Sequence, residues 1–212
     1  MVFIRALITV VLVWGAIMTS AAHAAEEPPH TVTFSAGSIE IREYQPMILA
    51  EVEVSGDMAA AGNRGFRPLA GFIFGDNQKP GEASSADIAM TAPVIQSRSE
   101  KIAMTSPVTQ ERSDGETWRV AFVMPPEWSM ETLPQPNDAR IELRQLPARR
   151  MAAIRFSGGP SEKRFQKKAK ELSDFLSQQG YEIIGEPIYA RYNPPWIPTF
   201  LRRNEVMIEI AR

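Results

Sequence analysis

The chain echoes itself at an offset of 102 residues, and this echo limits the folds open to it more than any other feature. Ile39-Glu40-Ile41-Arg42 is answered by Ile141-Glu142-Leu143-Arg144, Ala50 by Ala152, and Ser55-Gly56 by Ser157-Gly158, while Val52 and Val54 align with Ile154 and Phe156. Each half reads as strand, turn, strand, Ser-Gly corner, helix and further strands. The alternation Ala50-Glu51-Val52-Glu53-Val54 has the period of two expected of a strand with one wet face. Two strand-rich halves with one helix each predict an α+β domain: a curved or barrel-like antiparallel sheet with two helices packed outside it.

The helix of the second half starts at Pro160 and Ser161, carries Phe165, Ala169, Leu172 and Leu176 on one face, and stops at Gly180. Its counterpart, Met58 to Phe74, contains Gly62, Gly65, Pro68 and Gly71, a composition that predicts a short, kinked or broken helix near Pro68. Two readings of those glycines stand: close approach of backbone to something flat, or a loose surface helix. Further strands are expected at Trp118 to Met124, Ile188 to Tyr192 and Glu205 to Ile210, with an extended proline-rich linker from Met124 to Pro136.

A second, tighter repeat lies inside the first half. Ile88-Ala89-Met90-Thr91-Ala92-Pro93-Val94 returns fourteen positions later as Ile102-Ala103-Met104-Thr105-Ser106-Pro107-Val108. Both copies suit short strands, and the polar stretch from Ile95 to Lys101 reads as the connection of a loose hairpin.

At the N-terminus, Arg5, the apolar run Ala6 to Met18 and Ala22-His23-Ala24 form a secretory signal pattern with an A-x-A site, shorter than the roughly 20 residues of a membrane span. The reading is residues 1–24 as signal peptide, 25–38 as a flexible N-terminal segment and 39–212 as one domain, with a periplasmic or secreted location and no stable membrane anchor after cleavage. The chain has no cysteine, so no disulfide supports the fold. Of two histidines, His23 belongs to the signal and His30 to a Pro-containing stretch, which leaves no histidine in residues 39–212. Ser-His-Asp and Cys-His nucleophile systems and His-rich zinc sites are thereby excluded from it, and no metal site of its own is expected. The formal net charge of −2 argues against a nucleic-acid footprint.

The paired IAMTAPV and IAMTSPV segments, Arg42-Glu43-Tyr44, Gly65-Phe66, the run Phe72 to Asn77, Tyr192-Asn193-Pro194-Pro195 and Arg202-Arg203-Asn204-Glu205-Val206 together resemble the SOUL heme-binding protein family, over about Ile39 to Ile210. The resemblance implies a distorted barrel with two helices and non-enzymatic binding of heme or another tetrapyrrole. Some animal members place a histidine, proposed as an iron ligand, between the arginine and tyrosine of the first strand, where this chain has Glu43. A carboxylate is a poor replacement for imidazole on heme iron, so the expected mode is a hydrophobic pocket without a histidine ligand.

A tetrapyrrole needs flat apolar walls and cations for its propionates. The family's proposed groove uses the first helix and the loop before the final strand. The candidates are therefore Phe66, Leu69, Phe72 and Ile73 as wall, with Arg64 and Arg67 beside them, and Tyr192, Trp196, Arg202 and Arg203 from the loop. A lysine found in that loop in one animal branch corresponds to Ile197. Phe66, Leu69 and Ile73 at helical spacing are more often core than ligand wall, and Met90 and Met104 suit core better than iron ligation. Three other functions stand beside the leading one: a sensor or sequestering module for other flat hydrophobic molecules, an envelope protein without ligand, and acid-base chemistry by Glu43, Tyr44 and Glu205.

Overall fold

A computed structural model describes residues 27–98, 117–193 and 196–212. The signal pattern and the second heptad, Ile102 to Val108, lie outside the described residues. The described residues form eleven strands: β1 (His30–Ala36), β2 (Ile39–Tyr44), β3 (Met47–Ser55), β4 (Asn77–Gln78), β5 (Val94–Arg98), β6 (Thr117–Val123), β7 (Gln135–Pro136), β8 (Glu142–Leu146), β9 (Arg149–Ser157), β10 (Ile188–Arg191) and β11 (Arg203–Glu209). With them are two helices, α1 (Met58–Ile73) and α2 (Glu162–Gln178), and a 3-10 turn at Thr199–Leu201.

Nine strands form one antiparallel sheet in the order β1-β2-β9-β11-β10-β5-β6-β3-β8, curled as a half-barrel, and β4 pairs separately with β7. From β2 to β8 that order is a palindrome in the two halves. Each half lends its first strand to the other: β2 pairs with β9, and β8 with β3. The 102-residue echo is this relation, since β3 and β9 occupy equivalent nine-residue spans and both run into a Ser-Gly corner. Gly56 and Gly158 turn these corners at φ 118° and 130°, and a guanidinium, from Arg64 and Arg164 respectively, lies where a Cβ would be.

One sheet face carries both helices. α2 packs Phe165, Ala169, Leu172 and Leu176 onto Ile41, Ala152, Ile154, Val206 and Ile208, as the heptad-like spacing predicts. It ends at Gly180, with the Tyr181 N–H donating to the Leu176 carbonyl. α1 is continuous rather than broken at Pro68. Its N-terminus is capped by Asp57, which accepts from the Ala59 and Ala60 N–H groups. The carbonyl that Pro68 deprives of a donor belongs to Arg64, an exposed residue, so water can satisfy it. Leu69, Phe72 and Ile73 meanwhile anchor the C-terminal half of α1 in a core with Ile48, Val52, Val120, Phe122 and Leu133.

Three expectations are corrected. Residues 30–36 are strand β1, hairpinned to β2 with a register shift between Val32 and Phe34, not a flexible lead-in. The β-branched run Thr31-Val32-Thr33 carried that signal. Ile88 to Pro93 run irregularly through a cis Ala92–Pro93 bond, and the strand begins at Val94. The stretch read as a hairpin connection thus supplies β5, at the middle of the sheet, with Gln96 buried and donating to the Met58 carbonyl. Finally, the proline-rich linker is not simply extended. It makes turns, buries Leu133 completely and returns as β7 against β4.

Candidate functional site

The two central strands, β5 and β10, lie at the seam between the helices. On the helix side of β10, Arg191 donates from Nη2 to Gln96 Oε1 at 3.2 Å, and its guanidinium lies directly against Gly62 of α1, where a Cβ would collide with it. Gly62 is therefore a notch that lets a flat cation reach the helix backbone, which answers one of the two readings of the α1 glycines. Gly65 answers it differently: a Cβ there would sit 2.6 Å from Cβ of Val120, so it permits close packing of α1 on β6. Burial lowers the Arg191 pKa, and the charge of nearby Arg202 lowers it further. No carboxylate among the described residues pairs with Arg191. Arg202 itself donates from Nε to the Ile197 carbonyl at 2.7 Å.

The same loop, between β10 and β11, exposes large apolar side chains: Trp196 is 79 % exposed, Phe200 73 % and Leu201 64 %. Arg191, without a carboxylate partner among the described residues, and a loop of exposed apolar surface can together receive an amphiphilic anion.

The nominated residues divide into four groups. Trp196 and Arg202 lie on this loop. Arg64, Phe66 and Arg67 are exposed on α1, with Arg64 covering the Gly56 corner and Phe66 edge-on to Phe122 at 5.3 Å. Leu69, Phe72 and Ile73 are fully buried in the core, so that stripe faces protein. Tyr192 and Arg203 face the opposite, concave side of the sheet. There the Tyr192 hydroxyl donates to Glu205 Oε2 at 2.6 Å, and the Arg203 guanidinium sits 3.8 Å from the Tyr192 ring centre.

Glu205 is the hub of this concave-side cluster. Arg42 grips it in bidentate fashion at 2.7 and 3.0 Å, and Arg203 adds contacts at 2.8 and 3.0 Å. Burial pushes its carboxyl pKa up, but the Arg42 hydrogen bond and charge, with Tyr192 and Arg203, prevail and hold it at about 2. Burial, and then the Glu205 charge, raise the Tyr192 hydroxyl. Arg203 also reaches Glu27, and His30 packs on Tyr44 with ring centres 4.9 Å apart. In the other half Arg144, the echo of Arg42, grips Glu51 at 2.8 and 2.9 Å. Glu43 points to the helix side and stands 3.3 Å from Arg150 Nε in an ion pair.

Arg191 escaped the sequence reading. A single arginine at a strand end carries no periodic signal, and only the fold brings it to Gly62. No group of three or more His, Cys, Asp or Glu among the described residues is arranged to hold a metal ion.

A family model described as SOUL heme-binding protein matches residues 25–209. No curated protein sequence matches the chain. Among solved structures, the C-terminal domain of EcmrR superposes with a TM-score of 0.58 at 12 % identity, over 82 % of this chain and 97 % of that one. EcmrR in a DNA complex gives 0.56 at 11 %, over 82 % of this chain and 57 % of that one. A protein titled a hydrolase from Listeria innocua gives 0.53 at 14 %, over 82 % and 92 %. At such identities the likeness is one of fold.

Proposed function

This chain belongs to the SOUL heme-binding protein family, and on that premise we propose that it is an exported, non-enzymatic protein that binds heme or another tetrapyrrole. The site is the seam between α1 and the β10–β11 loop. The observation that carries the reading is Arg191: largely buried, beside a second guanidinium, and without a carboxylate partner among the described residues. A ligand carboxylate would relieve the like-charge pair, and Trp196, Phe200 and Leu201 would cover part of the macrocycle. Heme brings its iron already held by the macrocycle. The residues here fit its propionates and apolar face, and none of those named at the seam is a histidine.

A visible-absorption titration with hemin and, in parallel, protoporphyrin IX tests this. Both are expected to bind saturably with affinities within about tenfold of each other, because no protein–iron bond contributes. Arg191→Gln should weaken both by about tenfold or more, the equivalent of one charge-assisted hydrogen bond of ~1.5–3 kcal/mol. Gly62→Ala should have a similar effect by displacing the guanidinium while leaving the melting temperature unchanged or raised, since alanine favours helix by ~1 kcal/mol. His30→Ala, on the concave side, should change nothing. Absence of a saturable shift with either pigment rejects tetrapyrrole binding, and a hundredfold preference for hemin rejects binding without an iron ligand.

A flat aromatic carboxylate without a macrocycle would use the same arginines, and competition against protoporphyrin IX separates the two. Aromatic cations are disfavoured on the concave side, where Glu205 and Glu51 are already clamped by arginines.

A further inference from the structure

The concave face holds a feature that tetrapyrrole binding at the seam does not use. Two adjoining shallow hollows, open to solvent, share Ile95, Arg149 and Ile188 as a common wall. The first is otherwise mostly apolar, with Met47, Pro93, Val123 and Met207. The second borders the Glu51–Arg144–Arg119 group.

Arg149 is the exception among the charges of this face. Its side chain is 12 % exposed, its Nε is buried with no hydrogen-bond partner, and the nearest carboxylate oxygen, from Glu209, lies 3.7 Å from Nη1. That distance is outside hydrogen-bond range. The acids nearby cannot make up the deficit. Glu51 is taken by Arg144, with Arg119 at 3.6 Å, and Glu205 by Arg42, Arg203 and Tyr192. Burial disfavours the Arg149 charge, the Glu209 carboxylate offsets part of this, and Arg144 adds like-charge repulsion. A buried guanidinium with an unmet Nε donor and only a long ion pair, beside an apolar hollow, suits an anion with an apolar body.

We propose that the concave face is a second ligand site, which takes an amphiphilic monocarboxylate, its carboxylate on Arg149 and its hydrocarbon against Met47, Ile95, Ile188 and Met207. One negative charge matches one under-paired cation, since Arg144 and Arg119 are committed to Glu51. A hydrocarbon body matches the mostly apolar lining of the first hollow.

Isothermal titration calorimetry of the protein with decanoate, decanol and decyltrimethylammonium tests the proposal. Decanoate is expected to bind saturably, decanol at least about tenfold more weakly, and the cation not at all. Arg149→Met should weaken decanoate binding at the concave face by about tenfold or more, Arg149→Lys should retain part of it, and the Arg149-dependent binding should persist when the seam arginine is removed in Arg191→Gln. Equal affinity for decanoate and decanol, no saturable heat with decanoate, or full binding by Arg149→Met overturns it. Should Arg149→Met lack a cooperative melt, the decanoate–decanol comparison on the unaltered protein decides alone.

Discussion

Glu205 shows how a buried acid on a strand can be structural rather than reactive. Its carboxyl has an ordinary value of 4.5 and is held at about 2 in the fold, so folding is linked to its ionisation. The depressed folded value means that the stabilisation is fully present above pH ~4.5 and is lost as pH falls toward 2; the span corresponds to something on the order of 3 kcal/mol. Urea unfolding from pH 6 to pH 2 should therefore show stability declining across that window, with a shallower decline in Glu205→Gln. At neutral pH the same substitution should cost about 1–3 kcal/mol, because it removes the charge shared by Arg42, Arg203 and Tyr192 while Arg42 keeps its ion pair with Glu40 at 2.7 Å. Matching pH slopes in the two proteins would show that Glu205 is not the linked group. Arg42 was visible in the sequence as half of the 102-residue echo, and alternation puts Tyr44 on the same strand face. Glu205 was visible only as an acid in a strand. Strand alternation connects it to Arg203 two residues away, but Arg42 and Tyr192 sit 163 and 13 residues away, separations at which no pattern connects them. Glu43, grouped with Glu205 and Tyr44 as an acid-base candidate, proves to face the other side of the sheet.

Among the elements, α2 was the easiest to read and α1 the hardest. α2 carries a regular apolar stripe between a polar start and a glycine stop, so local and tertiary preferences agree. α1 has poor intrinsic propensity and is helical because the sheet holds it: its glycines are where it approaches β6 and Arg191, and Leu69, Phe72 and Ile73 are buried beyond its proline. Pro68→Ala should therefore stabilise the protein, by about 1 kcal/mol after allowing for greater freedom of the unfolded chain, seen as a melting temperature roughly 2–4 °C higher. A lower melting temperature would mean that the proline's fixed φ is being used by the fold. β5 was missed because its hydrophobic pattern is interrupted by Gln96. That polar residue is buried for a specific reason, bonding at once to the α1 backbone and to Arg191.

At the scale of the molecule, the exchange of first strands makes the halves interdependent. Neither half closes its own side of the sheet: β9 has β2 as its neighbour and β3 has β8, each from the other half. A chain cut after Pro136 should give two fragments without cooperative melts, and mixing them should restore one. A fragment that melts cooperatively alone would contradict this. The echo in the sequence announced two related halves but not their exchange, because a repeat records similarity and not pairing.

The backbone twofold passes between β5 and β10, and on that axis the side chains break it. Arg191 and Arg202 both belong to the second half, and Gln96 of the first half answers them with a neutral amide. A molecule lying across the seam meets a scaffold that would accept it either way round and a charge pattern that accepts only one. Heme carries its propionates along a single edge. The duplicated scaffold would thus provide width, and the unduplicated arginines would give direction.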